Sequence, residues 1–103
     1  FWDEPRNIGE LLMLIVSELG EAIEAHRKGK WADRETFENN IRLGGSFEEN
    51  FKQHIKDSFE DELADAIIRL LDMPAGLGIN IGWHVKAKLK FNSTRERLHG
   101  KKY

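Results

Sequence analysis

Residues 7–29 read NIGELLMLIVSELGEAIEAHRKG. Apolar residues recur here at three- and four-residue spacing, the period of an amphipathic helix. Asn7 is suited to cap the start, and Gly29 suits the position just past the end, where the chain turns left-handed. The pattern predicts a helix from Asn7 to about Lys28. On a wheel of about 100° per residue, Ile8, Leu11, Leu12, Ile15, Leu19, Ala22, Ile23 and His26 share one sector, and Glu18 lies inside it. Glu21, three residues on, sits at the edge of that sector.

The same arrangement returns downstream in FEDELADAIIRLLDM, residues 59–73. A second periodic segment is expected from about Ser46 to Met73, with Ser46 and Glu49 at capping-box spacing and Pro74 ending it. Phe51, Ile55, Phe59, Leu63, Ala66, Ile67 and Leu70 fill its apolar sector. Glu62 lies inside that sector and Asp65 at its edge. A third helix is expected from about Ile79 to Leu98, and a short one near residues 33–43. Two-residue alternation and hairpin dipeptides are missing. The expectation is a single all-α domain over residues 1–103, three long helices plus a short one.

Each long helix thus carries a carboxylate on its apolar stripe and a second one at i+3. One such pair is common on solvated helix surfaces; two matching pairs inside apolar stripes are a constellation. Burying bare carboxylates costs several kcal/mol each, and gathering four adds mutual repulsion. A positive partner is required. With no His in either pair and no Cys in the chain, oxygen donors select a hard cation, Mg²⁺ or Mn²⁺ with Ca²⁺ behind them. Four acids suffice for more than one ion. Arg69, one helical turn beyond Asp65, is expected to pair with it.

Composition narrows the classes further. Of 103 residues, 40% are hydrophobic and 33% charged, too apolar for a disordered chain and too charged for a membrane protein. The longest apolar run, Leu11 to Val16, is far short of a span. Without cysteine, thiolate zinc sites, disulfides and a Cys nucleophile are excluded. With no signal-peptide pattern in view, a cytoplasmic setting is expected.

Charge is unevenly spread. Residues 1–83 hold 9 Lys and Arg against 17 Asp and Glu; residues 84–103 hold 7 against 1. On the third helix Lys88, Asn92 and Arg95 climb one side, a pattern suited to phosphate oxygens. The acidic remainder argues against extensive nucleic-acid contact. Trp2 and Trp31 bracket the first helix in polar surroundings, where an aromatic ring stacks a base, packs a partner chain or fills a local gap.

Broad apolar faces on the first two helices need more partners than three helices provide. Pairing two chains would complete a four-helix-bundle core, so at least a homodimer is expected.

Taken together, Glu18-x-x-Glu21, then Glu62-x-x-Asp65, then Lys88, Asn92 and Arg95 resemble the MazG-type all-α nucleoside triphosphate pyrophosphohydrolases. Pro5-Arg6-Asn7 and Trp31 are similar to the dCTP-cleaving branch. The resemblance implies hydrolysis of a nucleoside triphosphate between the α- and β-phosphates, releasing a monophosphate and pyrophosphate. It further implies Mg²⁺ held by Glu18, Glu21, Glu62 and Asp65. Lys88, Asn92 and Arg95 would contact phosphates, Trp31 and Trp2 the base, and the assembly would be a homodimer or homotetramer. In this reading Glu21 takes a proton from the attacking water and Lys88 steadies the leaving pyrophosphate. The 40 residues between Glu21 and Glu62 exceed the family's usual spacing, with the excess at about 33–47.

Three other readings compete. A non-catalytic helical adaptor would leave the acids paired with Arg or Lys. A phosphoribosyl-ATP pyrophosphohydrolase would share the metal site. A di-iron bundle needs Glu-x-x-His on two helices, and only Glu96 and His99 have that spacing.

Overall fold

A computed structural model describes residues 7–99. Among them are five helices and no strand: α1 Ile8–Arg27, α2 Arg34–Arg42, α3 Phe47–His54, α4 Phe59–Gly76 and α5 Ile81–His99. The all-α expectation is met. The chain divides into two compact units, one ending at Leu70 and the other beginning at Leu71. No helix among the described residues is long and apolar enough to cross a membrane.

The first unit opens with α1, whose ends follow from local chemistry. The Asn7 side chain accepts from Glu10 N at 3.1 Å. At the other end Gly29 has φ 71°, and Lys30 N donates to Ala25 O at 2.9 Å, which closes the helix on its own carbonyls. The buried hydrophobic positions of this unit are Ile15, Ala22 and Ala25 on α1 and Ala66 on α4. Small residues thus carry the close packing. Leu12, Leu19 and Ile23, expected in the core, are exposed.

The short helix near 33–43 is α2, and it pairs with α3 as a helical hairpin. Asp33 caps α2 by accepting from Thr36 N at 3.1 Å. Gly44, φ 94°, reverses the chain, and Gly45 N returns to Asn40 O at 2.8 Å. Asn40 Nδ2 donates to Asn50 Oδ1 at 2.8 Å, and Asn50 Nδ2 to Ser46 O at 2.7 Å. The buried Asn50 is therefore satisfied on both sides, as a buried amide must be. The Phe37 ring meets Phe47 edge-on at 5.4 Å, and Phe47 lies nearly parallel to Phe51 at 5.9 Å.

The expected second long helix is in fact two. Ser46 caps α3, accepting from Glu49 N at 3.2 Å, but the chain breaks over residues 55–58. Asp57 there takes φ 65°, a conformation Asp tolerates better than most residues. Its N–H is held by Asp61 Oδ2 at 2.9 Å. Ser58 restarts the helix, its Oγ accepting from Asp61 N at 3.1 Å. Phe51 and Ile55 consequently do not extend the stripe of Phe59 and Leu63.

In the second unit, Pro74 does not end α4, which runs on to Gly76. So near the end of a helix the ring removes one bond only, and Leu77 N and Ile79 N fold back onto Pro74 O at 3.1 and 2.8 Å. Asn80 then caps α5, accepting from Trp83 N at 3.1 Å.

Candidate metal centre

Glu18 sits on α1, one turn beyond the buried Ile15. Glu62 and Asp65 sit on the first two turns of α4, positioned by the Ser58 cap: Glu62 N donates to Ser58 O at 3.0 Å. Carboxylate oxygens of Glu18, Glu62 and Asp65 all lie within 4.8 Å of one another. Glu62 is 9% exposed, and the Glu18 side chain 19%; Asp65 opens to solvent.

Burial pushes the Glu62 carboxyl above its ordinary value, and the negative charges of Asp65, Glu21, Asp57 and Asp61 push it further. No Lys, Arg or His pairs with Glu62 among the described residues. Glu18 has one: Arg69 Nε lies 3.4 Å from its Oε1. The expectation that Arg69 pairs with Asp65 is corrected here. A residue four positions away on the same helix is the nearer choice in sequence, but the guanidinium reaches across to α1.

The donor set fits a small divalent ion. Oxygens around Mg²⁺ at about 2.0–2.1 Å stand roughly 3–4 Å apart, inside the 4.8 Å within which these three carboxylates lie, and all three donors are carboxylates.

The structure places Glu21 differently. It is exposed and lines a polar cavity of about 260 Å³ with Glu24, Ala25, Lys28, Lys30, Asp57 and Glu62. It faces Glu62 without joining the three-carboxylate cluster. Lys28, Lys30 and Asp57 join the neighbourhood of Glu62 here. The adjacent Asp57-Ser58 dipeptide, a turn followed by a cap residue, was the available signal.

Trp31 sits just past α1, where its ring meets His26 at 5.6 Å and Phe59 at 5.3 Å. Phe59 N donates to Lys30 O at 2.8 Å, and Ala32 N to Glu60 Oε1 at 2.9 Å. These contacts tie the segment after α1 to the start of α4. Trp31 nonetheless remains exposed. Trp2 lies outside the described residues.

Within the second unit, Lys88 and Arg95 flank one ring: Lys88 Nζ is 5.3 Å and Arg95 Cζ 5.6 Å from the centre of Phe91. Both cations are exposed, and Asn92 is half-buried between them along α5. The sequence reading placed the cations on one side without finding the ring that aligns them.

Comparison with protein-family models, curated proteins and solved structures gives no match to this chain.

Proposed function

We propose that the chain is a divalent-metal-dependent nucleoside triphosphate pyrophosphohydrolase, cleaving between the α- and β-phosphates to release a monophosphate and pyrophosphate. One observation carries this reading. Three carboxylates from two helices converge within 4.8 Å, and the most buried of them, Glu62, has no salt-bridge partner among the described residues. A fold retains such an arrangement at a standing cost unless a positive ligand fills it.

Mg²⁺, or Mn²⁺, held by Glu18, Glu62 and Asp65 supplies Lewis acidity toward phosphate oxygens and water. Glu21, facing Glu62 across the polar cavity, accepts the proton of the attacking water. Lys88, Asn92 and Arg95 are assigned the phosphate contacts, on the strength of their spacing and of the Phe91 ring that fixes the two cations. Self-association follows from the apolar side chains left exposed along α1, among them Leu12, Met13, Val16 and Ile23.

The adaptor reading has one observation in its favour, the Arg69–Glu18 pair. That pair leaves Glu62 and Asp65 uncompensated. Incubating the purified chain with a panel of nucleoside triphosphates and Mg²⁺, with pyrophosphate detection, decides between them. Release that chelation abolishes is expected; no release from any nucleotide, with no Mg²⁺ binding by calorimetry, favours the adaptor.

A further inference from the structure

A groove of about 760 Å³ runs between α3 and α4, within the first unit. Its apolar lining is Phe47, Phe51, Ile55, Ala64 and Ile68, and Asp65 lines it too. The volume falls in the range of small-molecule sites. Asp65 is also one of the three clustered carboxylates. One residue therefore belongs both to the carboxylate cluster and to a largely apolar groove with two aromatic rings. With the proposed divalent ion bound, a ligand spanning the two would need a polyanionic end and a flat apolar end.

We propose that the α3–α4 groove holds the base of the nucleotide, stacked on Phe51 and Phe47, while its phosphates reach the carboxylate cluster past Asp65. This rests on the nucleotide reading and assigns the base to a surface other than Trp31. Phe47 is 64% exposed, a large apolar ring left open beside its partner.

The rim of the groove says how the base is read. Asp61 Oδ2 accepts from Asp57 N at 2.9 Å, and Glu60 Oε1 from Ala32 N at 2.9 Å. Lys52 pairs with Glu48 at 3.2 Å and Lys56 with Asp57 at 3.1 Å. Each of these six side chains thus has a partner within the protein, and the aromatic and aliphatic lining suits the π-face of any base. The groove binds by stacking and discriminates weakly among bases.

The test uses α,β-imido deoxynucleoside triphosphates of all four bases, titrated by calorimetry in Mg²⁺ into the parent chain, Phe51→Ala and Ala64→Phe. The first variant removes the stacking ring; the second, at an exposed position, fills the groove, so one stands if the other misfolds. Affinity for all four analogues is expected to fall about tenfold or more in each variant. Affinity for Mg²⁺ alone and for inorganic tripolyphosphate should stay within twofold. Aromatic NMR of the parent should show ring-current shifts at Phe47 and Phe51.

Unchanged analogue binding in both variants, or shifts confined to Trp31 and Phe59, overturns the groove assignment while leaving the nucleotide reading intact. A groove shielded in a homodimer before nucleotide is added overturns it equally. A parent chain that binds no analogue at all overturns the nucleotide reading and this assignment together.

Discussion

Arg69 and Glu18 form the one contact that brings a cation to the carboxylate cluster among the described residues, Nε to Oε1 at 3.4 Å. The guanidinium, 46% exposed, and a bound metal ion would compete for the same oxygen. An exposed pair of this kind is worth about 0.2–1 kcal/mol. Arg69→Gln is therefore expected to tighten Mg²⁺ binding by up to about fivefold, read by calorimetry. Weaker binding in that variant would mean that Arg69 orients Glu18 for the ion.

Glu62→Gln is expected to reduce pyrophosphate release by more than about 100-fold, since even groups that merely support metal ligands carry effects approaching that size. It should also stabilise the metal-free chain at pH 7. The Glu62 carboxyl titrates above its ordinary value of 4.5 in the fold, chiefly because it is buried. Below that value both folded and unfolded states are protonated and the site carries no penalty. As pH rises through 4.5 and then through the raised folded value, ionisation penalises the folded state and stability is lost. The melting temperature of the variant minus that of the parent should accordingly grow with pH across this window and vanish below it. A difference that is flat with pH contradicts the assignment.

Arg95→Ala is expected to weaken binding of a non-hydrolysable nucleotide by about 10- to 100-fold, the range of a lost hydrogen bond to a charged group at about 1.5–3 kcal/mol. Helicity should be unchanged, because Arg95 is exposed and its partner Phe91 keeps Lys88. Unaltered KM and kcat would remove α5 from the binding apparatus.

Gly45→Ala probes the α2–α3 hairpin apart from any activity. A Cβ there would stand 2.8 Å from Asn40 O and 2.9 Å from Asn50 Nδ2. Both neighbours belong to the network that satisfies buried Asn50, so neither can move freely. Overpacking of this kind costs about 1–3 kcal/mol, measurable by urea unfolding. A variant as stable as the parent would show that the hairpin adjusts.

Light scattering at micromolar concentration tests self-association. The apolar residues exposed on α1 predict a particle at least twice the monomer mass. A monomer that still hydrolyses nucleotide would show that those side chains serve another purpose.

The readable parts of this chain were those decided locally. Asn7 and Gly29 bound α1 because a cap and a left-handed glycine act within a few residues. Glu18, Glu62 and Asp65 could be singled out because a charge on an apolar stripe is anomalous on the helix that bears it. The break at Asp57 escaped, since Phe51, Ile55 and Phe59 fall at four-residue intervals whether or not the helix is continuous. Pro74 misled because its effect depends on how many turns follow it. The partner of Arg69 lies on another helix, and no wheel drawn for α4 contains α1. Phe47 and Phe51 line a groove with α4 only because the chain breaks between α3 and α4 at residues 55–58, so the groove was invisible in one dimension.

The backbone at Asp33 and His54 has a consequence for how such a protein changes over time. Asp33 N donates to His54 O at 2.9 Å, so residues 34–53 depart from and return to nearly the same point. The bonds from Phe59 to Lys30 and from Ala32 to Glu60 fasten the two ends of that excursion outside it. The distance between α1 and the start of α4 is therefore set by the stitches and not by the length of chain between them. The hairpin is an appendage that can be lengthened, shortened or exchanged while the carboxylates keep their places. Under the proposed reading, the Phe47 and Phe51 rings and the carboxylate cluster would sit on separately replaceable pieces of one short chain.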